Sequence, residues 1–262
     1  MSQVEAGTVN HGFEVLRPDS DAPEMVDRAI AIEAPIAIEY NGIGYAVMMA
    51  TPIDFEDFAI GFSLSEGLVS DGSQIHSVDS HHADNGWVLR IQIASAGADR
   101  VLERARQRVS ESSCGLCGMD NLEQVVRPLP PVSATIDVSN DAVFQALDAL
   151  RDHQPLNALT GGMHAAAFCH PDGSIVEVRE DVGRHNALDK LLGALARRGV
   201  AASSGFLLLT ARCSFELVQK TIVANCPLLV TVSVATSLAV EHAQKSGLKL
   251  ICLARSDSAL LG

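Results

Sequence analysis

Aromatic residues are scarce in this chain, at 4% of 262 residues, with a single Trp and two Tyr. Yet 47% of the residues are hydrophobic, so the core has to be assembled from Ala, Val, Leu and Ile. That mixture excludes disorder and suits a layered α/β protein better than an all-β one. Positive charge is also short: 19 Lys and Arg against 32 Asp and Glu leave a net −13. Such a balance argues against nucleic-acid or anionic-membrane binding, and an anionic ligand needs its own local cluster of cations. No apolar run is long enough to span a bilayer, and Met1-Ser2-Gln3-Val4-Glu5 lacks the basic start and apolar core of a secretory signal. Six cysteines, regularly spaced at only one place, read as reduced cytosolic thiols. The cytoplasm is therefore the expected compartment.

The one regular spacing is Cys114-Gly115-Leu116-Cys117-Gly118. A glycine after each thiol leaves the backbone free and the sulfurs open to attack. A metal clip, a dithiol switch and a nucleophilic sulfur carrier all use such a pair. Zinc needs four ligands and the pair supplies two. A thioredoxin-type pair opens a helix directly after a strand, which Gly118 and the coming Pro-rich segment disfavour. A loop carrying an exposed thiol, biased toward thiolate by Arg104, Arg106 and Arg108, is the reading left with most weight.

Asn41-Gly42 between two apolar runs predicts a β-hairpin, whereas the first dozen residues read as a loose tail. Thr51-Pro52 predicts a helix start and Gly67 its stop, with Phe55, Phe58, Ala59 and Phe62 on one face. Trp87 to Ile93 alternates as a strand, and Arg100 to Val109 fits helix or strand. His81-His82 reads as a polar, solvated loop. Arg127-Pro128-Leu129-Pro130-Pro131 is the best boundary, dividing the chain into domains 1–131 and 132–262. Beyond it, Pro171-Asp172-Gly173 marks a second hairpin, and helices over 183–198, 214–226 and 236–246 alternate with strands at 206–209, 228–234 and 248–253. A mostly parallel sheet with helices on both faces is the expected result.

Ligands of such sheets collect outside the carboxyl ends of the strands. Unusual polar residues fall there: Arg179-Glu180-Asp181, Arg184-His185-Asn186, Arg212 and Arg255. Arginines beside helix N-termini suit phosphate groups; the alternative is that they are ordinary partners of the many carboxylates. Thr160-Gly161-Gly162-Met163-His164 is a second concentration, either a close approach to a ligand or a tight turn.

These motifs together resemble the FdhD family, from about Val26 onward. The run Glu180-Asp181-Val182-Gly183-Arg184-His185-Asn186-Ala187-Leu188-Asp189-Lys190 carries the resemblance most specifically, with Asp57-Phe58-Ala59-Ile60-Gly61-Phe62 and Phe215-Glu216-Leu217-Val218-Gln219-Lys220. The resemblance implies an accessory sulfurtransferase, a sulfur carrier for formate dehydrogenase. Cys114 would take sulfur from a cysteine desulfurase as a persulfide, assisted by Cys117. The sulfur would pass to the molybdenum or tungsten of a bis-molybdopterin guanine dinucleotide (bis-MGD) cofactor before insertion into apo formate dehydrogenase. Leu253, Ala254, Arg255, Ser256, Asp257 and Ser258 match the family's cofactor-binding stretch. Gly161, Gly162, His164, Arg184, His185 and Arg212 are expected to complete that site, with no intrinsic metal.

The implied fold is α/β: a cytidine-deaminase-like layered sheet in the C-terminal half, with a smaller α+β N-terminal domain. Two rival readings follow, a non-catalytic cofactor chaperone and a zinc deaminase. The second needs His-x-Glu and Pro-Cys-x-x-Cys, where this chain has His185-Asn186-Ala187 and Cys213-Ser214-Phe215-Glu216. A homodimer joined through a flat apolar face is also expected.

Overall fold

A computed structural model describes residues 7–18, 20–109 and 129–262. Strands β1 (Thr8–Arg17) and β2 (Ser20–Ala31) form a separate antiparallel ribbon, so the expected N-terminal tail is corrected from residue 8 onward. Most of β1 is exposed on both faces, which removes the apolar alternation that makes a half-buried strand legible. β3 (Ala34–Tyr40) and β4 (Ile43–Ala50) meet at the Asn-Gly turn, where Asn41 and Gly42 have φ of 50° and 81°. Both signs are those a two-residue hairpin turn demands. With β5 (Ile75–Ala83) and β6 (Gly86–Ile93) they make a four-stranded sheet ordered β4-β3-β6-β5. His81 and His82 belong to β5, not to a loop, and His82 stands edge-on to Trp87 at 5.1 Å.

Helices α1 (Phe55–Ser65) and α2 (Ser95–Val109) cover one face of this sheet. Phe58, Phe62 and Val101 pack with Ile36, Ile38, Tyr40, Leu89 and Ile91. The ambiguous segment from Arg100 is thus helix. Its α1 neighbour starts three residues later than Thr51-Pro52 predicts, because Thr51 is engaged elsewhere.

In the C-terminal half, α3 (Asn140–Leu150) and α4 (Pro155–Thr160) precede the hairpin of β7 (His164–Cys169) and β8 (Ile175–Asp181). Then come α5 (Arg184–Arg197), β9 (Phe206–Leu209), α6 (Phe215–Val223), β10 (Leu228–Thr231), α7 (Ser237–Ser246), β11 (Lys249–Cys252) and β12 (Leu260–Leu261). The sheet order is β12-β11-β10-β9-β7-β8. Only β9, β10 and β11 pair in parallel; β7, β8 and β12 join antiparallel, so the sheet is mixed rather than mostly parallel. Helical crossovers link neighbouring strands only along β9-β10-β11, while β7 and β8 are joined by a tight turn. The unalternating run 206–209 is buried on both faces: Leu207 and Leu209 against α5, α6 and α7, Phe206 and Leu208 toward α3. A layered α/β sheet beside a smaller α+β region is what the sequence leads one to expect.

The two regions meet where α1 crosses α5. Gly61 and Gly193 bring the helix backbones together: a Cβ on Gly61 would lie 1.7 Å from the Asp189 carbonyl oxygen, and one on Gly193 1.8 Å from that of Asp57. Around the crossing sits a buried charge network. Asp181 Oδ2 lies 2.7 Å from Lys190 Nζ, both side chains fully buried, and accepts the Thr51 N–H at 3.0 Å. Lys190 also donates to the Thr51 carbonyl at 2.9 Å, and Asn186 to that of Met49 at 2.8 Å. Asp57 holds Arg179 and Arg197, and Asp189 holds Lys220 at 2.7 Å.

Two stability predictions follow from this joint. In Gly193→Ala, overpacking against backbone outweighs the roughly 1 kcal/mol gained in helix propensity; a net loss on the order of 2–3 kcal/mol is expected by urea unfolding. Parental stability would mean the helices are not in backbone contact. Asp181→Asn strands the Lys190 ammonium in the interior and is expected to cost about 3–5 kcal/mol in the same assay.

Candidate functional site

Because β7 runs antiparallel to both β8 and β9, the carboxyl ends of β8, β9, β10 and β11 and the start of β7 share one edge of the sheet. Three helices, α5, α6 and α7, begin at this edge. Their free N–H groups and aligned dipoles give it positive potential in an otherwise acidic protein.

The sequence-predicted residues arrive here together. His164 opens β7 opposite Asp181, the last residue of β8. Arg184 and His185 form the first turn of α5, and Arg212 lies exposed between β9 and α6. Among the described residues Arg184, Arg212 and Arg255 form no ion pair, and the buried Nε of Arg184 has no hydrogen-bond partner. Arg179 is the exception. It lies within β8 rather than beyond it, and pairs with Asp57 and Glu177. The ordinary-partner reading therefore holds for Arg179 and fails for the three arginines at the edge.

Gly161 has φ of 68° and closes α4; Gly162 faces open space, with nothing within 4 Å of where a Cβ would stand. At the other end of α4, Glu180 pins the helix start by accepting the Leu156 and Asn157 N–H groups at 2.9 and 2.8 Å. Burial raises the Glu180 pKa against those two bonds. Across the edge, Leu253 takes a left-handed φ of 51°, which a branched side chain adopts at a cost. Flanking bonds hold it there: the Leu253 N–H donates to Ser233 at 3.1 Å and the Ala254 N–H to Thr231 at 3.1 Å. Ala254 is buried, whereas Arg255, Ser256, Asp257 and Ser258 are exposed beyond a turn closed by Arg255 N–H to Ser258 at 2.9 Å.

Burial, with the nearby Arg184 charge, lowers the His164 imidazole from its ordinary value despite Asp181. His164 is thus neutral at pH 7, able to donate or accept one hydrogen bond. Glu216 was not singled out as a site residue from the sequence. It stands in the first turn of α6, 3.8 Å from His185 Nε2, and His185 above all brings its carboxyl down to about 2. An acidic residue two positions past the Ser214 cap was the available signal. Cys114 and Cys117 lie outside the described residues. Among the described residues no three His, Cys, Asp or Glu side chains gather to hold a metal ion. No helix there is long and apolar enough to cross a membrane.

The arrangement is that of an α/β protein with a cationic edge, lined by helix starts, at its strand exits. The sequence model of the FdhD/NarQ family matches residues 31–261, and the chain belongs to that family. It is 47% identical over 232 residues to the "Sulfur carrier protein FdhD" of Variovorax paradoxus, covering 88% of this chain and 84% of that one. The protein of that name from Xanthomonas oryzae pv. oryzae is 43% identical over 258 residues, covering 98% and 91%. A crystal structure of a putative formate dehydrogenase accessory protein from Desulfotalea psychrophila superposes with a TM-score of 0.76 at 21% identity. It covers 97% of this chain and 96% of that one, and shares the fold.

The Glu216 carboxyl gives a pH prediction. Its folded pKa is depressed, so its contribution to stability is complete above about 4.5 and is lost as pH falls toward about 2. In urea unfolding, the deficit of Glu216→Gln relative to the parent should shrink steadily across that window. A constant deficit would mean that its charge is not what stabilises the helix starts.

Proposed function

We propose that this protein is a sulfur carrier for formate dehydrogenase, passing sulfane sulfur from a cysteine desulfurase to a bis-MGD cofactor. The observation that carries this reading is the edge itself. Arg184, Arg212 and Arg255, without carboxylate partners among the described residues, gather with three helix N-termini in a chain of net charge −13. Such a surface suits the diphosphate of a guanine nucleotide, the anionic part of the bis-MGD cargo in this reading. The names carried by the relatives, sulfur carrier and formate dehydrogenase accessory protein, support the same assignment.

In the first step the Cys114 thiolate attacks the outer sulfur of the desulfurase persulfide. The desulfurase cysteine leaves as thiolate and Cys114 becomes the persulfide, with no net oxidation. Cys117 then attacks the Cys114 sulfur, closing a Cys114–Cys117 disulfide as the outer sulfur leaves at the sulfide level for the acceptor, so that the two thiols supply the two electrons. On the acceptor side, Arg184 and Arg212 hold phosphate oxygens, neutral His164 offers a hydrogen bond, and the Gly161-Gly162 turn leaves room for a ligand. Segment 253–258 closes the opposite wall. Apo formate dehydrogenase receives the sulfurated cofactor, bis-MGD being cargo rather than a resident group. Residence in the cytoplasm and assembly as a homodimer belong to the same reading.

Incubation with an active cysteine desulfurase and cysteine, followed by alkylation and peptide mass spectrometry, tests the sulfur step. One added sulfur is expected on the peptide carrying Cys114 and none in Cys114→Ala. If neither thiol gains sulfur while the desulfurase turns over, the protein is a non-catalytic cofactor chaperone instead. For the anion edge, Arg212→Ala should weaken guanosine diphosphate binding roughly tenfold to a hundredfold, the loss of a charge-assisted contact. Unchanged affinity in calorimetry would move the nucleotide away from this edge.

A further inference from the structure

We propose that Cys213 and Cys252 form a redox-active dithiol, which a low-molecular-weight disulfide converts into an intramolecular disulfide joining the β9 and β11 exits. This pair is separate from Cys114 and Cys117, and the sulfur-carrier reading makes no use of it.

The topology brings the two thiols together. Cys213 follows β9 and is tied to the β10 exit by a parallel bridge to Ala235: its N–H donates to Val234 at 3.1 Å, and the Thr236 N–H donates to its carbonyl at 3.0 Å. Cys252 ends β11, one residue beyond the Val230–Ile251 pair, and so stands beside Thr231 on the other flank of β10. Both side chains are buried in the same cluster with Leu209, Ala211, Leu229 and Leu250. Cys213 is fully buried, while Cys252 retains 8% exposure beside the strained Leu253.

Their environments divide the chemistry. A hydrogen bond with Cys213 is the largest influence on Cys252, and with those from Thr231 and the Ala235 N–H it outweighs burial and brings the thiol down. The same bond and burial push Cys213 far upward. Cys252, the partly exposed thiol of the pair, is the nucleophile, and the fully buried Cys213 is the resolving thiol. Cys169 and Cys226, by contrast, are each pushed up to about 12 by burial and serve as inert references in the same molecule.

The exchange balances in two steps. The Cys252 thiolate attacks one sulfur of a small disulfide such as oxidised glutathione, forming a mixed disulfide and releasing one glutathione thiolate. Cys213, giving up its proton, then attacks the Cys252 sulfur as thiolate, and the second glutathione leaves and takes that proton. The protein is oxidised by two electrons and the small disulfide is reduced to two thiols.

The test uses the full chain carrying Cys114→Ala and Cys117→Ala, so that its outcome does not depend on sulfur carriage. After exposure to oxidised glutathione, non-reducing trypsin digestion should yield peptide 213–220 linked to peptide 250–255. Cys213→Ser should instead retain glutathione on Cys252. In the untreated folded protein at pH 7, iodoacetamide should modify Cys252 at least about tenfold faster than Cys169 or Cys226. That second measurement needs no variant at the proposed pair. Absence of the linked peptide, with oxidised glutathione shown to be active on a reference dithiol, overturns the proposal. So does a Cys252 rate no greater than that of Cys169.

Discussion

One carboxylate, Asp181, holds the molecule in register. It ends β8, faces the Lys190 ammonium on α5, and accepts N–H groups from Thr51, Gly183 and Asn186. An ion pair buried this completely adds little net stability, because desolvating both charges costs about as much as their attraction returns. Its consequence is geometric. With each donor and acceptor committed, the end of β4, the end of β8 and the start of α5 have one arrangement that leaves nothing buried and unpaired. The α1–α5 crossing permits this arrangement, since only glycine at 61 and 193 lets the two backbones approach so closely.

The site inherits its position from that joint. Arg184 and His185 project from the turn of α5 that Asp181 anchors, and His185 meets Glu216 at the start of α6. A second consequence concerns charge. Asp57, Glu177, Asp181 and Asp189 are spent on cations around the joint, namely the exposed Arg197 and the more buried Arg179, Lys190 and Lys220. Arg184, Arg212 and Arg255, which have no carboxylate partner among the described residues, stand at the edge, where the helix dipoles add to their charge. A net-acidic surface elsewhere confines positive potential to that edge rather than spreading it over the protein.

The long run from Glu180 to Lys190 illustrates what a sequence signature can mean. It carries the family resemblance, yet most of its polar residues build the frame. Glu180 pins α4, Asn186 and Lys190 reach across to β4, and Asp189 holds Lys220. Arg184 and His185 alone face the edge as site residues. The frame and the site are thus written in the same eleven positions, of which the sequence reading assigned Arg184 and His185 to the cofactor site.

Local signals were sufficient wherever structure is set by short-range physics. The Asn41-Gly42 hairpin, the α5 face of Ala187, Leu188, Leu191, Leu192 and Leu195, and the doubly buried run 206–209 were all legible. Turn chemistry and apolar period act over a few residues, and family resemblance reached the rest of the α/β order. The β7–β8 hairpin was legible from its turn, but the ribbon at 8–31, β5, β12 and the antiparallel pairing of β7 with β9 were not, because such strands carry no local signal of which partner they meet. Long-range pairing alone decided that Thr51 is a clasp and not a cap, that Arg179 is a partner and not a ligand residue, and that Cys213 meets Cys252. Each depends on which side chains the folded chain brings within a few ångströms, a property that no stretch of neighbouring residues contains.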